Sequence, residues 1–193
     1  MSPVQHGIVG PVPEGRDPEA YDQLRRRVLW SLTNGIYVIG SRVGDRRNLM
    51  TASLVTQVAT TPKLVAVSVE RDARTHELVA ESGAFALSIL AREARAVIRH
   101  FVKPVSEVSV DPSTGAGTMQ GEAVVAAPSG SPVLTAAAAW LDCAVRHRLD
   151  LGSHELFVGE VTDCGAGAPG APTGAALAEE LLRMEDTRMN YGG

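Results

Sequence analysis

At 193 residues, with a formal charge of −4, 45% hydrophobic residues and only 4% aromatic ones, the chain has room for one domain built on a core of Ala, Val and Leu. That balance excludes a disordered chain, and it excludes the basic face that a nucleic-acid partner demands. No run reaches the roughly 20 apolar residues that span a bilayer, and the polar start MSPVQHGIVGPVPEG lacks the pattern of a secretory signal, so a cytoplasmic protein with no membrane partner is expected.

Residues 1–16 mix Gly, Pro and Val without periodicity and read as a flexible arm, leaving 17–193 as the folded domain. A helix then begins: Asp17 is placed to cap it, Pro18 suits its first position, and Glu19 favours the positive end of its dipole. Tyr21, Leu24, Val28 and Leu32 follow at near-helical spacing and predict one buried stripe, with Arg25, Arg26 and Arg27 turned to water. From Ile36 the pattern changes to strands in IYVIGS, TASLVTQVA and LVAVSVE. In the third run Val65, Val67 and Val69 point one way and Ala66 and Ser68 the other, the period of a strand with two different faces.

RTHELVAES reads as a short helix and AFALSIL as a strand. REARAVIRHF sets Ala94, Val97, Ile98 and Phe101 on one helical stripe. Residues 103–118, rich in Ser, Gly, Thr and Pro, read as a long loop, either a lid or a surface excursion. Strands follow in GEAVVAA, AAAAWLDCAVRHRLDL and HELFVGEVTDC, the last two joined by a turn at Gly152 and Ser153, and then a connector and a short helix around 175–182. Six or more strands with short links and few helices predict a mainly antiparallel β-barrel with peripheral helices. Cys143 and Cys164 form no C-x-x-C, so neither a disulfide framework nor a metal site is indicated, and both are expected to be small buried residues. Gly165, Gly167 and Gly170 satisfy G-x-G-x-x-G, but no second strand or acidic ribose ligand follows them, which makes the match a connector rather than a dinucleotide fingerprint.

The stretch NLMTASLVTQVATTPKLVAVSVERDARTHELVAESGAFALS, with IYVIGS before it and GSHELFVGEV and NYGG after it, resembles the flavin reductase-like, FMN-binding split-barrel family over roughly three quarters of the chain. The resemblance implies an antiparallel split β-barrel, a homodimer, and flavin in a groove near the subunit interface. It also implies that Asn48, Thr51, Ala52 and Ser53 line the isoalloxazine and ribityl chain, with Gln57 and Ser68 further along. Small side chains and hydroxyls at those positions suit close approach to a planar ring, although a polar strand edge would look the same.

Arg74 and Thr75 stand where a short helix should begin, so Thr75 can cap it while the helix end and the Arg charge hold a phosphate, although a capped helix with an exposed Arg would look the same. In the resembling family this loop takes the FMN phosphate, with Arg71 and His76 as neighbours. His154 follows the Gly-Ser turn at a hairpin tip and matches the histidine that the family associates with the nicotinamide side, though Ser153 stands where the family usually has Asp. Tyr191 in NYGG is a candidate to close the site or the dimer seam.

The function implied is an NAD(P)H:flavin oxidoreductase that reduces FMN, with FAD as the alternative flavin, using NADH or NADPH and supplying reduced flavin to a partner monooxygenase. Hydride transfer between two such cofactors needs no protein nucleophile and no metal. Other readings are an FMN-binding electron-transfer flavoprotein, a non-enzymatic flavin-binding protein, and a barrel without flavin that serves as a dimeric interaction module.

Overall fold

In a computed structural model of the chain, residues 10–167, 169–170 and 181–187 are described. They fall into two compact units divided between Thr33 and Asn34. The first carries helix α1, Pro18–Leu29, whose start follows the sequence: Asp17 accepts from the Ala20 N–H at 2.9 Å, and Pro18 occupies the first turn. The predicted buried stripe does not form. Leu24, Val28 and Leu32 are 48%, 58% and 63% exposed, because among the described residues of this unit one short helix has nothing to lay over them. The buried residue is instead Asp22, which draws Arg25 and Arg26 back along the helix at 2.6 and 2.8 Å.

The second unit holds the strands β1 Tyr37–Val43, β2 Arg46–Ala52, β3 Val55–Thr60, β4 Lys63–Glu70, β5 Ala84–Ile89, β6 Val108–Val110, β7 Gly117–Met119, β8 Glu122–Ala126, β9 Pro132–Leu134, β10 Ala139–Asp150 and β11 His154–Ala166. Helix α2, Arg74–Ser82, and a 3-10 helix, Arg92–Phe101, interrupt them. Every pairing is antiparallel, in one seven-stranded sheet ordered β2-β1-β5-β10-β11-β4-β3 and a second ordered β6-β7-β8-β9. The edge strands of the large sheet, β2 and β3, are joined by Ser53 and Leu54 alone. Three residue steps reach at most about 11 Å, so the sheet must curl until its edges meet at that corner. The Ser68 N–H donates to the Leu54 carbonyl at 3.0 Å and ties the corner to β4. The fold is thus a split β-barrel, open between β2 and β3 beyond the corner.

Ile39, Val65, Val67, Val69, Phe85, Leu87, Cys143 and Phe157 fill the barrel, as the alternation in LVAVSVE predicts. The small sheet packs on the outside of β1. A Cβ at Gly40 would come within 1.8 Å of the Pro132 carbonyl, so only glycine admits β9 there. The inward position of Cys143 desolvates its thiol, which is pushed up to about 12, with the Asp142 charge adding to the shift.

Several expectations change. TASLVTQVA is not one strand but two, broken at the corner, and the β1–β2 hairpin around Gly44 was hidden because RRNLM does not alternate. Residues 103–118 are not a bare loop, since they carry β6 and β7 of the small sheet. REARAVIRHF winds as a 3-10 helix whose fully buried residues, Ile98 and Phe101, stand three apart. Cys164, unlike Cys143, is exposed, because the far end of β11 extends past the packed part of the barrel. Gly165 belongs to β11, where a Cβ would sit 2.6 Å from Trp140 Nε1, so its role is to accommodate an indole. The expected helix around 175–182 lies mostly outside the described residues, and at its end Leu181 bridges Ala91. Tyr191 and residues 1–9 of the arm also lie outside them. Among the described residues no helix is long and apolar enough to cross a membrane.

Candidate functional site

The start of α2 is the first half of the site. Its N-cap is Ala73, which has no side chain to offer, so Thr75 is not the cap that the sequence suggests. Thr75 stands one position inside the helix, fully buried, and its hydroxyl accepts from Asn48 Nδ2 at 2.8 Å. The other end of the Asn48 amide accepts the Val105 N–H at 3.0 Å, and the Val105 carbonyl accepts from Arg74 Nη1 at 3.2 Å. Asn48, Arg74 and Thr75, distant in sequence, therefore meet in one knot with Val105.

Two properties of that knot favour an anion. The Arg74 and Thr75 N–H groups have no intrahelical acceptor and an alanine cap leaves them open at a cost of about 1 kcal/mol, whereas the His76 N–H already donates to the Ala73 carbonyl at 2.9 Å. Arg74 is half-buried and, among the described residues, meets a carbonyl but no carboxylate. Arg71 differs: its guanidinium pairs with Asp150 at 2.5 Å and donates to the Gly152 carbonyl at 3.0 Å. His76 is committed too, its Nε2 lying 2.6 Å from Glu155 and its ring edge-on to Phe157. Of the three basic residues near this turn, Arg74 is the one whose charge is uncompensated.

The second half is the tip of the β10–β11 hairpin. The Arg71 N–H donates to the Ser153 carbonyl at 3.1 Å, which brings the tip against the turn before α2. His154 pairs with Glu70 and Leu156 with Ser68 across β11 and β4, so the His154 and Ser68 side chains share the outer face of the sheet. Ser153 Oγ lies 3.0 Å from His154 Nδ1, a hydroxyl taking the orienting place of a carboxylate. Glu155, next along, points inward and is 7% exposed. Its carboxylate receives Arg148 Nε and Nη2 at 2.7 and 2.9 Å as well as His76. Arg148 holds that carboxyl at about 2, against burial, which raises it, and with a smaller lowering from His76.

The remaining predicted residues separate. Thr51 donates to the Ile98 carbonyl at 2.6 Å and anchors the 3-10 helix. Ala52 and Ser53 are buried at the corner where the sheet edges meet. Gln57 is exposed on β3, its amide donating to the Ala59 carbonyl at 3.1 Å, and its register opposite Val65 sets it on the face away from Ser68. Glu155, Arg148 and Val105 were not expected. Glu155 was detectable in principle, as a charged residue at an inward position of the alternating run HELFVG.

Comparison with known proteins matches residues 29–180 to the model of the flavin reductase like domain. The chain is 33% identical over 161 residues to an NADH-dependent FAD reductase of Streptomyces globisporus, covering 83% of this chain and 82% of that one. It is 30% identical over 158 residues to a high molecular weight rubredoxin of Moorella thermoacetica, covering 81% of this chain but 66% of that protein. It spans only 25% of a putative diflavin flavoprotein of Synechocystis at 28% identity. Among solved structures, the NADH:FAD oxidoreductase of Streptomyces globisporus C-1027 superposes with a TM-score of 0.63 at 31% identity, covering 80% of this chain and 87% of that one. The styrene monooxygenase flavin reductase of Pseudomonas putida S12 gives 0.59 at 26%, covering 73% and 85%. The flavin reductase component of a bacterial two-component tryptophan halogenase gives 0.60 at 29%, covering 75% and 86%.

Proposed function

The chain belongs to the flavin reductase-like family, and we propose that it works there as an NAD(P)H-dependent flavin reductase that takes FMN, with FAD as the alternative. The observation that carries this reading is the open start of α2, where Arg74 meets no carboxylate among the described residues and stands beside uncapped N–H groups, next to the hairpin that carries His154.

Arg74 and the N–H groups of Arg74 and Thr75 hold the flavin phosphate, while Asn48 and Thr75 fix the helix end from behind. Thr51, Ala52 and Ser53 bring the chain past the ring edge with small side chains, and Ser68 lies beyond the corner on the outer face of β4, whereas Gln57, on the other face of β3, takes no part. When both cofactors are bound, the nicotinamide supplies a hydride and the flavin accepts it. His154 positions the nicotinamide, its imidazole held by Ser153, and the residues around it limit water. None of these side chains has to take or give a proton for the transfer itself.

The outer face that bears His154 and Ser68 also exposes Leu149 and Leu151 at 56% and 53%, with Leu54 at 42% at the corner. Apolar side chains grouped on a strand face call for a partner, and a second copy of the chain covering them completes the groove over His154. Reduced flavin then leaves for a separate monooxygenase, a reading supported by the styrene monooxygenase flavin reductase among the structural neighbours, and the transfer takes place in the cytoplasm.

The test is the anaerobic absorbance of protein reconstituted with FMN, before and after NADH or NADPH. Bleaching of the flavin band by one nucleotide is expected and identifies the donor. Bound flavin that neither nucleotide reduces overturns the reductase in favour of an electron-transfer flavoprotein, the reading that the rubredoxin and diflavin relatives support. Retention of flavin through desalting would mark the same alternative, since a reductase that supplies flavin must release it.

A further inference from the structure

We infer that Glu155 is a positioning residue that locks the phosphate end of the site to its nicotinamide end, an inference that rests on the function proposed above. Successive residues of a strand point to opposite faces, so fixing Glu155 inward fixes His154 outward. The Glu155 carboxylate is 7% exposed and takes three hydrogen bonds, one at 2.6 Å from His76 on α2 and two at 2.7 and 2.9 Å from Arg148 on β10. The same two partners also contact Phe157, with the His76 ring at 5.4 Å and the Arg148 guanidinium at 5.2 Å from the phenyl centroid.

His76 stands two residues after Arg74 and one after Thr75, on the first turn of α2. One carboxylate therefore reaches the helix turn assigned to the phosphate and, through the backbone, the histidine assigned to the nicotinamide. The exposed contacts of Arg71 with Asp150, Gly152 and Ser153 join the same two segments from the water side. These are screened by solvent and weak singly, whereas the enclosed Glu155 carboxylate, held by half-buried His76 and by two guanidinium nitrogens of Arg148, sets the geometry. Nothing in the hydride step touches Glu155. Its action is to hold two cofactor-binding segments at one spacing, and small misplacement of reacting groups is costly.

The experiment compares wild type, Glu155→Gln and His76→Gln, with Glu160→Gln as a control on the exposed pair with Arg146 farther along the same hairpin. FMN affinity is read by fluorescence, and flavin reduction by anaerobic stopped flow at saturating FMN and nucleotide. For both test variants an FMN Kd raised about tenfold and a reduction rate lowered about tenfold are expected, with Tm close to wild type and the control unchanged. A second arm places Glu155→Gln in a His154→Asn background. If Glu155 acts on the rate through His154, the second substitution slows reduction far less there than in wild type, while the Kd still rises.

Loss of thermal stability with unchanged Kd and rate, or full additivity with His154→Asn, overturns the inference. Should Glu155→Gln not fold, His76→Gln, which leaves the Arg148 contact in place, decides it alone by the same readouts. A wild-type protein that binds no flavin or reduces none overturns the functional reading instead, so the two failures are told apart.

Discussion

The two faces of the β10–β11 hairpin are built from the same alternating run and end in opposite states. Inward, Phe157 is fully buried with Cys143 and the valines of β4, and even the charged Glu155 is enclosed by its partners. Outward, Leu149 and Leu151 remain more than half exposed, and His154 stands among them. The inward face is packed by this chain's own residues, whereas the outward one stays open among the described residues, and the function proposed above uses that open side for ligands and a partner. Phe157→Ala should therefore give the largest effect: a loss of about 3–5 kcal/mol in urea denaturation, as for other buried aromatic truncations. A loss below about 1 kcal/mol would mean that the inward face is not the core.

On the outward face the expected cost falls on assembly rather than folding. Leu151→Glu should leave Tm within a few degrees of wild type and convert a dimer into a monomer by sedimentation, with flavin reduction lost in step. A monomeric wild type would instead assign the apolar stripe to a different partner. A smaller effect distinguishes the two arginines of the turn. Arg74→Ala should raise the Kd for FMN by between about 10-fold and 100-fold, the worth of a charged hydrogen bond, and leave riboflavin binding unchanged because riboflavin has no phosphate. Arg71→Ala, whose charge is already matched by Asp150, should shift the FMN Kd only slightly. The reverse order would move the phosphate to the hairpin tip.

Much of this was legible in the sequence where one period ran unbroken. LVAVSVE gave its two faces, DPE gave the start of α1, and the Gly-Ser turn gave the hairpin. What failed was anything set by a neighbour distant in sequence. The corner at Ser53 and Leu54 falls inside a run of good strand formers, and only closure of the barrel breaks it there. Asn48, Arg74 and Thr75 were readable as polar residues near a helix start, but not the exchange in which Thr75 gives up the cap to receive Asn48 while Val105 joins them. The α1 stripe misled for a related reason, since periodicity reports a face that needs covering and is silent on whether this chain covers it. Glu155 shows the same limit from the other side: a charge at an inward position signals an unusual contact, yet His76 and Arg148 are found only by folding.

The mildest perturbation reaches the place where the two faces meet. The Glu155 carboxyl is held at about 2, below its ordinary 4.5, so the folded state binds the proton more weakly than the unfolded one. Its contribution to stability is therefore complete above about 4.5 and is lost as the pH falls toward about 2. Other carboxylates titrate in the same range, so the informative quantity is the gap in urea-denaturation free energy between wild type and Glu155→Gln. The gap should close progressively as the pH falls below about 4.5. It should also stay well below the loss for Phe157→Ala, because Arg148 is 44% exposed and water screens its share of the interaction. A gap independent of pH would mean that Glu155 holds the hairpin by shape rather than by charge, and the inward face would then owe nothing to the ion pair that closes it.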